Sequence, residues 1–176
     1  MEINIRQEVQ ADYPIVFNLI EQAFRNELLS DKKEQFLVER LRKSDSFISE
    51  LSLVAEVNNE IVGYILLSKI SITTDIESIT SLALAPVAVL PTFQKKGIGG
   101  KLIEEAHRIA KELGYQSIIL LGHEKYYPKF GYLPLHHLNI KLPFDAPKEN
   151  CMAIELVPDA LQNKNGKVIY PEEFFE

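Results

Sequence analysis

A long aliphatic run, Ser78 to Leu90, stops at Pro91, and the chain then passes through two lysines and a cluster of glycines into a helical pattern. Ile98, Leu102, Ala106, Ile109, Ala110 and Leu113 fall on one stripe of that helix, and Gly114 follows where a helix end is expected. Ser117 to Leu121 is then a short, continuously apolar run, the pattern of a strand buried on both faces. Strand, helix of about four turns and strand make a βαβ unit. Such a unit sets its two strands parallel and its crossover right-handed. It is the strongest constraint on the fold.

The rest of the chain adds strands with different neighbours. Leu51 to Val57 and Ile61 to Ile70 flank Asn58-Asn59, and asparagine tolerates the positive φ of a tight hairpin turn. Ile3, Ile5 and Val9 suggest an opening strand. Asp12 and Pro14 then start a helix whose apolar face is Ile15, Val16, Leu19, Ile20, Ala23 and Phe24. A second helix, capped by Ser30 or Asp31, would bury Phe36, Leu37 and Leu41. Two further strands are expected at His137 to Leu142 and at Met152 to Leu156. Pro86 marks a bulge or edge within the long strand. The outline is α+β: a mixed, mostly antiparallel sheet flanked by helices, with one βαβ crossover. A single domain over residues 1–176 is expected, with a core at about 3–157 and a tail, 158–176, packed on it.

The turn between strand and helix has the outline of an anion site. The first N–H groups of a helix lack internal partners and carry the positive end of its dipole. Gly97, Gly99 and Gly100 leave the backbone open to a phosphate, and Lys95, Lys96 and Lys101 add positive charge. Two common phosphate loops are excluded. Leu102 stands where a P-loop needs Ser or Thr after Gly100-Lys101, and Lys95 where it needs its first glycine. Leu102 also occupies the third glycine position of a dinucleotide fingerprint.

Gln94-Lys95-Lys96-Gly97-Ile98-Gly99 resembles the Gln/Arg-x-x-Gly-x-Gly/Ala signature of the GCN5-related N-acetyltransferases, the GNAT family, and Val87 to Pro91 resembles the strand leading into it. Tyr126-Tyr127-Pro128-Lys129-Phe130-Gly131-Tyr132 resembles that family's Tyr-x-x-x-Gly-Phe segment, with Tyr132 in place of the commoner phenylalanine. The ending Asn165 to Phe174 resembles that of the YhbS-like subgroup. The resemblance implies the GNAT fold and an acetyl-CoA-dependent N-acetyltransferase acting on a primary amine of a small molecule or peptide. The diphosphate of CoA would lie on amides of Gln94, Lys95, Lys96, Gly97, Ile98, Gly99, Gly100 and Lys101. The pantetheine arm would run along Ala88, Val89 and Leu90, where the family's central strands splay apart. Tyr127 would serve as general acid or sulfur donor, with Tyr126 as its alternative. The base is poorly marked: His123 and Glu56 are candidates, and water relay is the third option. A different class of function, a CoA-binding sensor or regulatory module without turnover, uses the same loop.

Composition narrows the partners. The formal net charge of −6 does not support a generally basic nucleic-acid surface. Cys151 is the only cysteine, so neither an intrachain disulfide nor a cysteine zinc cluster is available. His136-His137, read as neighbours on a strand, would point to opposite faces, so no metal is expected. No apolar run approaches the roughly 20 residues of a membrane helix, and residues 1–6 lack the order of a secretion signal. A cytoplasmic protein with acetyl-CoA and an amine as partners, and a possible homodimer, is the expectation.

Overall fold

The computed structural model describes residues 1–176. Its centre is an eight-stranded sheet in the order β1-β2-β3-β4-β5-β7-β6, with β8 paired to β3. The strands are β1 (Asn4–Gln7), β2 (Ser52–Val57), β3 (Glu60–Thr73), β4 (Ser78–Val89), β5 (Ser117–Leu121), β6 (Leu133–Pro134), β7 (Cys151–Glu155) and β8 (Lys167–Ile169). The named strand pairings are antiparallel except β4 with β5. That parallel pair is joined by α3 (Ile98–Glu112), as the βαβ pattern requires. The β2–β3 hairpin turns at Asn58 and Asn59, at φ 51° and 64°, the left-handed values that a two-residue turn demands. No helix is long and apolar enough to cross a membrane.

Alternation along the strands sorts the core onto two faces. One face carries Leu53, Ala55, Leu67, Leu82, Leu84, Ile118 and Leu120 and is covered by the Ile98, Leu102, Ala106 and Ala110 stripe of α3. The other is covered at one end by α1 (Tyr13–Phe24) and α2 (Glu34–Leu41), which pack on Val54, Tyr64, Leu66 and Ala88. At its other end Ile70, Ile72, Ala83, Ile119 and Ala153 lie under the chain around Leu135 and Ile140 and under Val168. Phe174 packs at the margins of both groups, so the tail bridges them. Arg40 of α2 holds that tail by donating twice to the Glu173 carbonyl, at 3.1 and 2.9 Å. Phe175, by contrast, is exposed.

Four local expectations are corrected. Asp12 occupies the N-cap position of α1 but makes no side-chain bond to the helix; its carboxylate reaches back to accept from the Val9 amide at 2.9 Å and pairs with Arg6 at 2.7 Å. Lys33, not Ser30 or Asp31, is the N-cap of α2. Ser30 and Asp31 shape the turn before it by accepting from the amides of Lys32 and Lys33, the short-range bonds these side chains favour. The buried face of α2 is Gln35, Val38 and Leu41; Phe36 lies outward, edge-on to Phe17 at 5.3 Å. His137 to Leu142 is not a strand. Leu135–Leu138 forms a 3₁₀ turn ended by left-handed Asn139, with the His136 and His137 rings against each other at 4.4 Å. Short β6 and β8 were not evident in the sequence, because each depends on a partner far along the chain.

Candidate active site at the open edge of β4

The parallel ladder is brief. Leu82 pairs with Ile118 and Ala83 with Ile119, although β4 continues to Val89 and β5 to Leu121. Beyond Ala83 the two strands part, and the edge of β4 that faced β5 lies open. On its other side β4 stays paired with β3, with a register shift between Ile65 and Leu67 opposite the Pro86 region. A proline there donates no ladder bond, which suits an irregular position.

Alternation fixes which peptides meet the opening. The Leu90 amide donates to the Val62 carbonyl at 2.9 Å, so Leu90 and Ala88 spend their backbone groups on β3. Of the expected arm-binding residues, Val89 alone aims its peptide outward, and Val87 joins it two residues earlier. The Gln94 side chain donates to the Val89 carbonyl at 3.2 Å, tying the loop to the strand end. Val87 was missed because sequence does not reveal which side of a strand is paired.

The loop continues from a 3₁₀ turn, Pro91–Phe93, into α3. Lys95 and Gly97 are left-handed at φ 61° and 82°, an alternation that curls successive amides into an anion-binding concavity. No amide from Lys95 to Gly100 has a hydrogen-bond acceptor in the chain; the next, Lys101, donates to the Gly97 carbonyl at 3.1 Å. Lys95, Lys96 and Lys101 are exposed around them.

The glycines turn out to serve different ends. Gly97 supplies the positive φ, with open space around its missing Cβ. A Cβ on Gly99 would stand 2.9 Å from the Tyr126 hydroxyl. A Cβ on Gly100 would lie 3.4 Å from the Phe130 ring, an ordinary contact, so packing alone does not demand glycine there. The Tyr126 to Tyr132 segment therefore sits directly on the loop. Lys129, absent from the sequence expectation, places Nζ 4.0 Å over the Tyr126 ring.

Tyr127 is buried in an aromatic cluster, edge-on to Tyr126 at 5.1 Å and to Tyr132 at 5.7 Å. A Cβ on Gly122, just beyond β5, would lie 2.3 Å from the Tyr127 ring, so the small residue seats the tyrosine at the strand exit. Burial, then the neighbouring Tyr126, push the Tyr127 hydroxyl well above its ordinary value of 10.0. Tyr132 is buried too, and its hydroxyl bonds His107 Nε2 at 2.8 Å. The substitution for phenylalanine thus has a local partner. His107 is half-buried, and burial lowers it to about 4.

His123 is exposed at the rim, its Nε2 3.4 Å from Glu27 Oε2 in the loop between α1 and α2. Glu56 lies elsewhere. It sits on β2, bonded to Arg6 at 2.8 Å and Asn4 at 3.0 Å, and those partners hold its carboxyl below the usual range. It is removed as a base. Cys151 is buried, and burial raises its thiol.

The model of the acetyltransferase (GNAT) domain matches residues 49–134. A GNAT family acetyltransferase from Brucella melitensis, solved with acetyl-CoA, is 32% identical, with a TM-score of 0.79 over 98% of both chains. The chain belongs to the GNAT family. Among other GNAT proteins, Escherichia coli YhbS, solved with CoA, covers 100% of this chain and 93% of its own at a TM-score of 0.89 and 25% identity. The uncharacterized N-acetyltransferase YjhQ of Escherichia coli K12 is 34% identical over 119 residues, 67% of this chain and 66% of that one. The GNAT fold explains the parted strands as a feature of the architecture rather than a local irregularity.

Proposed function

We propose that this protein transfers the acetyl group of acetyl-CoA to a primary amine. The observation that carries the reading is the open edge of β4 leading directly to the unpartnered amides of Lys95 to Gly100. A peptide-like arm pairs with an exposed strand edge, and a diphosphate seats on amides that nothing else uses. The solved relatives hold CoA or acetyl-CoA.

In the reaction the neutral amine attacks the thioester carbonyl, a C–N bond forms, and the C–S bond breaks to release thiolate. The outward peptide of Val87 or Val89 is the natural donor to the tetrahedral oxyanion. Tyr127 acts on the thiolate. Its hydroxyl, raised above 10.0, stays protonated at neutral pH. A thiol near 8.5 is the stronger acid, so complete transfer from Tyr127 to sulfur runs uphill. Its role is therefore a hydrogen bond to the developing thiolate, with solvent supplying the proton afterwards. The proton lost by the amine passes to His123 or to water.

Titration calorimetry with CoA, followed by an acceptor-dependent assay for released CoA, tests the reading. Micromolar binding and amine-dependent release are expected. Binding without release from any amine would point to a sensor; no binding by folded protein would overturn the site itself.

A further inference from the structure

The Tyr126 to Tyr132 segment is fastened to α3 at two levels. Phe130 lies beside Gly100 in the first turn of the helix, and Tyr132 reaches His107 in the third. Gly131 between them is left-handed at φ 101°, a bend that glycine takes at little cost. The second attachment is polar. Tyr132 is only 1% exposed, and its hydroxyl and His107 Nε2 share a hydrogen bond of 2.8 Å. Burial keeps the phenol protonated and the imidazole neutral, so a neutral pair ties ring to helix. It is the one side-chain hydrogen bond made by residues 126–132.

Tyr127 sits inside the cage that this attachment completes. Its own hydroxyl bonds nothing in the chain, so neighbouring groups alone set its direction. Gly122 forms one wall, where a Cβ would lie 2.3 Å from the Tyr127 ring. Asn150 fixes that wall: the Gly122 amide donates to the Asn150 carbonyl and Asn150 Nδ2 donates to the Gly122 carbonyl, both at 2.9 Å. The Tyr126 and Tyr132 rings stand edge-on at 5.1 and 5.7 Å. Of these two aromatic walls only Tyr132 is anchored by a hydrogen bond, and its anchor is His107.

We propose that His107 and Tyr132 are positioning residues for Tyr127: their hydrogen bond holds the wall that sets the direction of the Tyr127 hydroxyl toward the departing sulfur. The inference rests on the acetyl-transfer reading and on the donor role of Tyr127 within it. It gives α3 two tasks, since the helix that presents the loop amides at its first turn holds the Tyr127 cage from its third. A phenylalanine at 132 would keep the ring and lose only the anchor, so the hydroxyl can be tested apart from the packing. A hydrogen bond to a developing charge depends steeply on alignment, so a small turn of the Tyr127 ring weakens it without disturbing the loop that binds CoA.

The test uses the full chain and three readouts: CoA affinity by calorimetry, acetyl transfer to butylamine, putrescine and glycylglycine, and ionisation of the bound CoA thiol by its thiolate absorbance. Tyr132→Phe and His107→Leu should each lower kcat roughly threefold to tenfold. KM for acetyl-CoA and CoA affinity should stay unchanged, which also certifies folding. His107→Gln, which keeps a polar partner, should recover much of the rate lost in His107→Leu. In a Tyr127→Phe background Tyr132→Phe should lower kcat no further, because its effect passes through the Tyr127 hydroxyl. The bound thiol should ionise at higher pH in Tyr127→Phe and, by a smaller step, in Tyr132→Phe. Losses that multiply in the double variant, or a loss in Tyr132→Phe that appears only as a raised KM for acetyl-CoA, overturn the proposal. Should the wild-type protein bind CoA yet acetylate none of the three amines, the transfer reading loses its support while the thiol still decides this proposal. A shift in Tyr132→Phe that vanishes in the Tyr127→Phe background then supports it, and no shift overturns it.

Discussion

His107 gives the stability of this protein a specific dependence on pH. Its imidazole is lowered from 6.5 to about 4 by burial against the Tyr132 hydroxyl. As pH falls, the unfolded chain takes up this proton near 6.5 and the folded protein only near 4. Between those values the unfolded state binds more protons, so stability is complete above 6.5, drains as pH falls toward 4, and loses nothing further from this group below that. The full displacement corresponds to about 3 kcal/mol at 1.36 kcal/mol per pH unit. The ring keeps some solvent contact, and screening reduces the figure to about 2 kcal/mol. His107→Gln removes the titration and keeps a polar atom near Tyr132. Urea denaturation of both proteins at pH 7.5 and pH 4.5 isolates the effect, because the other titrating groups are common to both. With a urea slope of about 2 kcal/mol/M, the wild-type midpoint should drop by roughly 1 M more than that of the variant. Parallel losses in the two proteins would refute the assignment of a buried, neutral His107.

Two predictions concern the chemistry. Tyr127→Phe removes only the hydroxyl, and loss of a hydrogen bond to a charged sulfur should lower kcat by roughly tenfold to hundredfold with little change in KM for acetyl-CoA; equal rates in steady-state assays would take Tyr127 out of the mechanism. If His123 accepts the amine proton, His123→Ala should erase the acidic limb of the kcat/KM profile against pH, and an unchanged profile leaves water in that role.

Some of the site was legible because it is written in short-range chemistry. Glycine and asparagine at positive φ, seen at Gly97 and Asn59, have few substitutes, so the loop and the hairpin announce themselves. The α3 stripe is equally plain, since its period is a property of the helix alone. The long-range facts were not legible. That Phe130 would come to rest beside Gly100, thirty residues away, was not to be read from the loop itself. His107 lies outside the apolar stripe of α3, and the partner of its ring, Tyr132, comes twenty-five residues later. Glu56 looked available until Arg6 claimed it.

The sequence by itself determined the βαβ unit, the hairpin and the backbone character of the loop, because turn chemistry and apolar period act over a few residues. Only the tertiary structure decided that β4 and β5 part after Ala83, that Val87 and Val89 face the gap, and that one oxygen each of Glu34 and Gln35 is left without a donor. The reason is physical: pairing, burial and the satisfaction of a polar atom are set by neighbours that folding brings together from distant parts of the chain.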